Sequence, residues 1–455
     1  MKLIVATNRS PYSIKKEKNH ITLQRGAGGL ISALDPVMKK NAGVWVCESD
    51  ILLNDYDIKL PYPIKQIKLT ENETKHYYDG FCNTQIWPIF HYFPAKYKFH
   101  IKDWGFYKQV NQKFADEIAA IVESDDIIWV HDYQLMLLPK LLRNMGIKNK
   151  IGFFLHIPFP NFEVYRIFPK RIEILEALLS CDLIGFHTQS YQKHFIESVK
   201  YFFGSQAGIK ENLIQYKDNL SKVVALPISI DYKHIETAAK SLKVENKLLK
   251  LKDNFNNQII GLGVDRVDYS KGIIEKFEGL ELFFEKKPEY IKKVSFIQIA
   301  VPTRVNVTEY RKLKRQTDEA VGRINGKFSR DGWSPIHYIY SNVTFEDLIA
   351  YYRLADFIIV SALRDGLNLV AKEYVSSRIN NSGTLILSEF TGASEEMPYR
   401  YSINPYDSVS ISSAIEATLK GNEVKKSSEM SNLRNYVKEN DIFKWFNNFL
   451  TELKQ

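Results

Sequence analysis

Two carboxylates stand close together where a buried strand is predicted to pass into a helix. The apolar run 356–360 is followed by Asp365, Asn368 and Glu373 in the segment "RDGLNLVAKE". Asparagine is a favourable N-cap, so a helix is expected to begin after Asn368, with Glu373 one turn beyond Leu369. This spacing fits a ligand with hydroxyl groups at both ends and phosphates between them, as in a nucleotide sugar. The alternative is that Asp365 only supports the turn and Glu373 lies at the surface.

Basic side chains follow two apolar runs that precede this segment. Arg266 and Lys271 flank a turn in "GVDRVDYSKGI", and Arg304 ends the later run "IAVPTR". Arginine supplies a fork of donors and lysine a mobile point charge, a combination that suits a diphosphate. A solvated loop with ordinary surface charges is the alternative.

Further candidates follow apolar runs in the first half of the chain. Gly28 and Gly29 in "RGAGGLISAL" precede a predicted helix, whose first N–H groups can bind an anion, although a plain tight turn has the same pattern. His131 and Asp132 stand in "WVHDYQL", and His156 ends the apolar run in "FFLHIPFP". A lone histidine at a strand end is more often a core residue, but the prolines after His156 hold a rigid turn and favour a functional role. No HExxH spacing occurs, so no metal site is expected.

Strand-like apolar runs separated by helical patterns must position these residues. Examples are "KLIVATN", "TQIWPIF", "DDIIWVHD", "KIGFFLHIPF", "QIIGLGVD" and "DFIIVSAL". This alternation predicts an α/β protein with parallel sheets covered on both faces. About a dozen strands exceed one typical open sheet, so we expect two doubly wound domains, 1–231 and 232–455, with a cleft between them. Ligands of such sheets bind at the carboxyl ends of the strands, where the candidates lie.

The composition excludes several classes of protein. The 455 residues are 45% apolar and 25% charged, and 62 Lys and Arg against 53 Asp and Glu give a formal charge of +9. No long like-charge block occurs, so no nucleic-acid partner is expected, whereas the basic excess suits phosphorylated small molecules. No run approaches the ~18 apolar residues of a membrane span, and the first apolar run is too short for a signal peptide. We therefore expect a cytoplasmic protein without a membrane partner; a homo-oligomer is compatible with the sequence.

Several of these segments together resemble one enzyme family. The chain resembles the trehalose-6-phosphate synthases, which are retaining glycosyltransferases with the GT-B fold of two facing Rossmann-like domains. Any one of the matching segments is unspecific, but the set, in the family's order, is highly specific. The segments are "NRSP", "GAGGL", "YYDGFCNTQIWPIFHY", "WVHDYQLMLLP", "IGFFLHIPFP", "DRVDYSKGI", "VGRINGKF" and "RDGLNLVAKEYV".

The resemblance implies substrates and roles for individual residues. It implies UDP-glucose as donor and glucose 6-phosphate as acceptor, with no cofactor and no metal. The residues implied to bind the donor are Gly28, Gly29, Arg266, Lys271, Asp365, Leu369, Val370 and Glu373. Those implied to bind the acceptor are Arg9, Tyr78, Trp87, Asp132 and Arg304. Those implied to act in catalysis are Arg266, Lys271, His156 and Asp365. In this fold the last helix, about 440–455, is expected to cross back onto the first domain.

Four departures from the family pattern fall in the first half, which the resemblance implies to bind the acceptor. They are Cys47, Glu48, Phe93 and Gln134. Two alternatives within the family therefore stay open, a glucosylglycerol-phosphate synthase and a pseudoglycosyltransferase that forms a C–N bond. A third alternative is a non-catalytic sensor that binds sugar phosphates.

Overall fold

The chain divides into two compact units. The computed structural model describes residues 1–17, 20–26, 28–41, 43–56, 58–255 and 258–455. Unit 1 comprises residues 1–228 and 442–455, and unit 2 comprises residues 229–441. The division falls within a few residues of the boundary expected after residue 231, and the C-terminal segment is grouped with unit 1.

Unit 1 is built on a largely parallel sheet. Its strands are β1 (Leu3–Arg9), β2 (Tyr12–Glu17), β3 (His20–Arg25), β4 (Gly43–Glu48), β5 (Ile64–Ile67), β6 (Ile127–His131), β7 (Ile151–Phe154), β8 (Leu183–Phe186), β9 (Ala207–Lys210), β10 (Leu213–Tyr216) and β11 (Asn219–Ala225). Among the described residues, nine of these pair in the order β5-β4-β1-β6-β7-β8-β11-β10-β9, and β2 and β3 form a separate hairpin. The strand order reverses between β1 and β6, which pair in parallel. Their carboxyl ends therefore lie side by side at the place where doubly wound sheets bind ligands.

Helices cover this sheet. They are α1 (Gly29–Lys40), α2 (Glu71–Glu73), α3 (Trp87–Phe90), α4 (Ile101–Ala119), α5 (Leu138–Asn144), α6 (Phe162–Tyr165), α7 (Arg171–Leu178) and α8 (Gln189–Phe203). The central strands β6, β7 and β8 are buried along their whole length, which explains why they read as continuous apolar runs.

One strand prediction is wrong. The run "TQIWPIF" lies in a π-helix (Thr74–Ile86) and in α3, which follows it directly. Periodicity alone does not separate a short apolar strand from a buried helical segment. Here Ile86, Ile89 and Phe90 are all fully buried, so the continuous apolar run marks a helix enclosed on several sides.

Unit 2 contains a second, fully parallel sheet. Its strands are β12 (Ile259–Arg266), β13 (Val294–Val301), β14 (Ile336–Ile339), β15 (Phe357–Val360), β16 (Thr384–Ser388) and β17 (Tyr401–Ile403). In the part of the chain that the structure describes, they pair in the order β14-β13-β12-β15-β16-β17. This is the doubly wound Rossmann order, and the reversal lies between β12 and β15.

The helices of unit 2 lie on this sheet. They are α9 (Tyr232–Ala239), α10 (Leu242–Asp253), α11 (Ile273–Lys286), α12 (Thr308–Phe328), α13 (Phe345–Leu354), α14 (Leu369–Ser377), α15 (Ala393–Glu396), α16 (Ser408–Lys420) and α17 (Glu423–Glu439). Phe277 and Leu280 of α11 and Ile411 and Ile415 of α16 are buried in one cluster with Phe296 of β13. This apolar core fixes the strands whose ends carry the basic residues.

The last helix, α18 (Ile442–Lys454), packs on the sheet of unit 1. The ring of Phe449 stacks on Trp129 with centroids 4.5 Å apart, and Trp445 lies 5.0 Å from Trp129. A Cβ atom on Gly152 or Gly185 would come within 2.7 or 2.9 Å of the Phe449 ring, so these glycines permit the close approach. The Trp445 indole N–H donates to the backbone oxygen of Leu226 at 3.1 Å.

Two global features complete the fold. Cys47, Cys82 and Cys181 are buried and form no disulfide bond. Within the described residues, none of the helices combines the length and the apolar character that crossing a bilayer requires.

Candidate active site

The ends of β12 and β15 bring two of the candidate donor residues into contact. β12 ends at Arg266, Lys271 closes the following 3₁₀ turn, and Asp365 lies in the loop after β15. Lys271 Nζ donates to Asp365 Oδ2 at 2.6 Å, and the two side chains are only 10% and 13% exposed. Because the strand order reverses between β12 and β15, this contact lies where doubly wound sheets bind ligands.

Asn368 fixes the loop after β15. Its Oδ1 accepts a hydrogen bond from the N–H of Ala371 at 3.2 Å, which confirms the predicted N-cap of α14. Its Nδ2 donates to Asp365 Oδ2 at 3.0 Å, and its φ of 86° lies in the left-handed region. The cap therefore also holds the carboxylate. Leu369 and Val370 begin the helix, half-buried, where backbone N–H groups lack intrahelical partners.

Glu373 lies one turn further along α14 and is half-buried, so it is not a surface residue. The hydroxyl of Tyr352 donates to its Oε2 at 2.9 Å. Burial raises the pKa of Glu373 to about 7, against the lowering effect of the Tyr352 hydrogen bond. The carboxyl group is thus poised between its neutral and ionised forms near neutral pH, and a ligand that donates hydrogen bonds favours the ionised form.

A buried acid that the motif analysis missed lies among the basic residues. Asp268 is fully buried, and its Oδ2 accepts a hydrogen bond from Arg304 Nη1 at 3.1 Å. Burial acts to raise the pKa of Asp268, but the charges of Arg304, Arg266 and Lys271 outweigh this effect and lower it below its ordinary value. In the sequence, Asp268 could have been noticed as an acidic residue between Arg266 and Lys271.

Arg304 is held inside unit 2. Its side chain is 2% exposed and pairs with Asp268, and its Nη1 also donates to the hydroxyl of Tyr310. Its backbone has a φ of 46°, in the left-handed region, where non-glycine residues are uncommon. The guanidinium therefore presents little free surface in this structure, and its role in binding the acceptor stays a prediction.

In unit 1 the end of β1 contacts the π-helix. Arg9 Nη2 donates to the hydroxyl of Tyr78 at 2.8 Å, which brings two predicted acceptor residues together. The adjacent Tyr77, which the sequence analysis did not single out, is fully buried. Its hydroxyl lies 2.7 Å from Asn8 Oδ1 and 3.3 Å from the backbone oxygen of Gln134. Tyr77 thereby ties the end of β1 to the turn after β6.

The ends of β6 and β7 place Asp132 and His156 together. Asp132 Oδ1 accepts the backbone N–H of His156 at 3.2 Å, and His131 Nδ1 lies 3.0 Å from His156 Nε2. Burial and the neighbouring His187 lower the pKa of His156, and burial and His156 lower that of His131. Asp132 has a φ of 73°, a strained conformation that costs about 1–3 kcal/mol and is frequent at functional sites.

Trp87 is buried, whereas Gly28 and Gly29 are exposed. Trp87 is 4% exposed in α3 and stacks on His91 with ring centroids 3.9 Å apart, so it presents little surface to a ligand. Gly28 is the N-cap residue of α1, which begins at Gly29, and its φ of 133° is a conformation that other residues rarely adopt. Binding roles for all three residues stay predictions.

Three of the departures from the family pattern lie near the end of β1. Cys47 is fully buried, and Gln134 is 8% exposed. Glu48 is in register with Arg9 across the β1–β4 pair. Burial, together with the charge of Asp50, raises the pKa of Glu48 to about 7, while Arg9 acts to lower it. An acid with a perturbed pKa therefore lies beside the arginine predicted to bind the acceptor.

The whole chain matches one family. The family model described as "Glycosyltransferase family 20" matches residues 1–455. The chain belongs to this family. The resemblance drawn from the motifs is therefore confirmed. An alpha,alpha-trehalose-phosphate synthase [UDP-forming] from Candida albicans is 39% identical over 464 residues, which cover 99% of this chain and 97% of the relative. Synthase A from Dictyostelium discoideum is 37% identical over the whole chain, which spans 62% of that relative's length.

Solved structures of family members confirm the predicted α/β fold class of GT-B type. A UDP-forming synthase from Burkholderia xenovorans in complex with glucose 6-phosphate has a TM-score of 0.92 at 32% identity, covering 100% of both chains. A structure described as trehalose-6-phosphate from E. coli bound with UDP-2-fluoro glucose also has a TM-score of 0.92 at 32% identity. It covers 100% of this chain and 99% of that one.

Proposed function

We propose that this chain is a UDP-forming alpha,alpha-trehalose-phosphate synthase. It transfers glucose from UDP-glucose to glucose 6-phosphate with retention of the anomeric configuration. The observation that carries the proposal is the Lys271–Asp365 contact between the loops that follow the paired strands β12 and β15. A diphosphate leaving group requires cations where its negative charge develops, and family members that match the whole chain carry this name.

Unit 2 supplies the donor site in this proposal. Arg266 and Lys271 bind the diphosphate. Asp365 accepts hydrogen bonds from hydroxyl groups of the transferred glucose, and Glu373 accepts hydrogen bonds from the two hydroxyl groups of the ribose. Because an ammonium group has three donors, Lys271 can contact a phosphate oxygen while it keeps its bond to Asp365. The helix-start amides after Asn368 add further donors for negative charge.

The acceptor contacts of this proposal lie in unit 1. Arg9 and the hydroxyl of Tyr78 are 2.8 Å apart and together offer several hydrogen bonds to one phosphate group. A dianion suits this pair better than a neutral hydroxyl, so we propose that every efficient acceptor is phosphorylated. Asp132 accepts a hydrogen bond from a hydroxyl group of the acceptor sugar.

No side chain attacks the sugar in the proposed mechanism. The acceptor hydroxyl approaches the anomeric carbon on the face from which UDP departs, and a phosphate oxygen of the donor takes its proton. The bond between the anomeric carbon and the phosphate oxygen breaks, and the new glycosidic bond forms on the same face. Arg266 and Lys271 stabilise the charge on the departing diphosphate. Binding of both substrates holds them in the orientation that the transfer requires.

A substrate matrix tests the proposal. Purified protein is incubated with UDP-glucose or other nucleotide sugars, each against glucose 6-phosphate, glycerol 3-phosphate, an aminocyclitol phosphate, free glucose and free glycerol. UDP release is measured and the product is identified by mass. We expect turnover with UDP-glucose and glucose 6-phosphate. A product on another phosphorylated acceptor would identify one of the other activities in the family, and substrate binding without turnover would identify a sensor.

Two alanine variants test the donor assignment. Arg266→Ala and Lys271→Ala are each expected to lower kcat about 10²–10³-fold, because a preorganised charge contact to the transition state is lost. Arg315→Ala and Lys286→Ala are matched controls on exposed faces of α12 and α11, and they should leave kcat unchanged. Near-normal kcat/KM in both site variants would contradict the diphosphate assignment.

Metal independence, oligomeric state and location stay predictions. In the described part of the chain, no group of three or more His, Cys, Asp and Glu side chains is arranged to hold a metal ion. We expect the enzyme to remain active in the presence of EDTA. Loss of activity in EDTA that is restored by adding Mg²⁺ would contradict this expectation. Light scattering tests for a homo-oligomer, and cell fractionation tests the cytoplasmic location.

A further inference from the structure

The histidines at the ends of β6 and β7 contact each other directly, and the mechanism above does not use this contact. His131 Nδ1 and His156 Nε2 are 3.0 Å apart, which is a hydrogen-bond distance. One of these nitrogens must carry the shared proton and the other must accept it. This choice decides whether the remaining nitrogen of His156, Nδ1, is a donor or an acceptor.

The surroundings of His131 favour one of the two arrangements. His131 is fully buried, and its Nε2 has no hydrogen-bond partner among the described residues. A proton on Nε2 would therefore be a buried donor without an acceptor, and orphaned N–H groups are rarer in folded proteins than under-satisfied acceptors. A proton on Nδ1 avoids this cost, because it lies in the bond to His156.

The neighbouring indole of Trp129 also favours a proton on Nδ1 of His131. The rings of Trp129 and His131 have centroids 4.4 Å apart. The Trp129 indole N–H is also buried without a partner in the described part of the chain. A proton on His131 Nε2 would place a second positive partial charge beside the unpaired indole N–H. An unprotonated Nε2 carries a negative partial charge instead.

Neither ring takes a second proton easily. Burial and the nearby His156 lower the pKa of His131, and burial and His187 lower the pKa of His156. Both shifts favour the neutral imidazole. The backbone N–H of His156 donates to Asp132 Oδ1 at 3.2 Å, so the residue is held at the backbone as well as at its ring.

We propose that His131 is a positioning residue, which donates its Nδ1–H to His156 Nε2 and thereby keeps the proton of His156 on Nδ1. His156 then presents a neutral N–H donor to the sugar nucleotide. Such a donor binds a sugar hydroxyl or a phosphate oxygen without introducing a charge. The proposal rests on the proposed function, because the family resemblance gives His156 a part in catalysis.

The tautomers can be observed directly. Long-range ¹H–¹⁵N correlation spectra of deuterated protein with ¹⁵N-labelled histidine distinguish protonated from unprotonated ring nitrogens. The spectra of His131→Asn and His156→Gln assign the two rings among the ten histidines. We expect protonated Nδ1 and unprotonated Nε2 in both rings at pH 7.5. Protonation of His156 on Nε2, or of either ring on both nitrogens, would overturn the proposal. This readout does not depend on catalysis, so it stands if the proposed function fails.

Kinetics test whether the contact matters for transfer. His131→Leu removes the donor, whereas His131→Asn keeps an amide N–H close to the position of Nδ1. We expect His131→Leu to lower kcat/KM for the donor roughly tenfold, the effect of one lost hydrogen bond, and His131→Asn to recover most of it. The KM for the acceptor should change little in either variant.

A matched variant separates this role from general effects. His100→Leu removes an exposed histidine at the start of α4, and it should leave kcat/KM unchanged. Full activity of His131→Leu, or equal losses in His131→Leu and His131→Asn, would overturn the positioning role. If His131→Leu does not fold, His131→Asn decides: it must keep the His156 proton on Nδ1 and most of the activity.

Discussion

Phe449→Ala probes how α18 stabilises unit 1. The Phe449 ring is fully buried, stacks on Trp129 at 4.5 Å, and meets Phe154 edge-on at 5.8 Å. Removing a buried phenylalanine costs about 3–5 kcal/mol. Below the ring lie Gly152 and Gly185, which have no side chains that could move into the cavity. We therefore expect a loss near the upper end of that range.

Equilibrium unfolding in urea measures this loss. Five of the six tryptophans, all except Trp333, belong to unit 1, so tryptophan fluorescence mainly reports its unfolding. Asn448→Ala is the control, because Asn448 is exposed on the same helix and should change stability by no more than about 0.5 kcal/mol. A loss below about 1 kcal/mol in Phe449→Ala, or a loss equal to the control, would refute the reasoning.

Three further predictions concern glycine packing, pH and buried charge. Gly263→Ala should destabilise unit 2 by about 1–3 kcal/mol in thermal unfolding, because its Cβ would overlap a buried lysine and a buried glutamine. Gly322→Ala, in an open helical position, should be neutral or stabilising, and equal effects would contradict the packing argument. The pKa of Glu48 is raised to about 7 in the folded protein, so its ionisation opposes folding. Stability of the wild type relative to Glu48→Gln should therefore fall as the pH rises from ~4.5 through ~7, and parallel pH profiles would contradict this. Asp268→Asn should destabilise unit 2 by about 3–5 kcal/mol in urea, because Arg304 then stays buried without its carboxylate; a loss below about 1 kcal/mol would speak against a structural role for the pair.

The fold class could be predicted because burial on both faces leaves a direct trace in the sequence. Strands such as β6 and β12 read as continuous apolar runs, and the residues that follow parallel strands necessarily lie at one edge of the sheet. The N-cap at Asn368 could also be predicted, because it depends only on a local preference. The family resemblance added the substrates, which no periodicity indicates.

What could not be predicted depends on tertiary contacts. "TQIWPIF" has the composition of a strand, and only its enclosure between other elements selects the helix. Glu373 has no sequence signal for its partner Tyr352, which is 21 residues earlier. The sequence likewise gives no sign that Arg304 is buried, because an arginine at the end of a strand can bind a ligand or form an internal ion pair.

The basic residues of unit 2 show why residue type and spacing stop short of a site. Lys271 and Asp365 are 94 positions apart, and Asp268 and Arg304 are 36 apart, yet each pair is in contact. Only the strand order, with β12 beside both β13 and β15, brings their loops together. The two acids have different consequences. Asp365 is partly exposed and can exchange hydrogen bonds with a ligand, whereas Asp268 is enclosed and pairs with Arg304. A sequence motif identifies the cations that are proposed to bind a diphosphate, but only the fold determines which acid pairs with each cation.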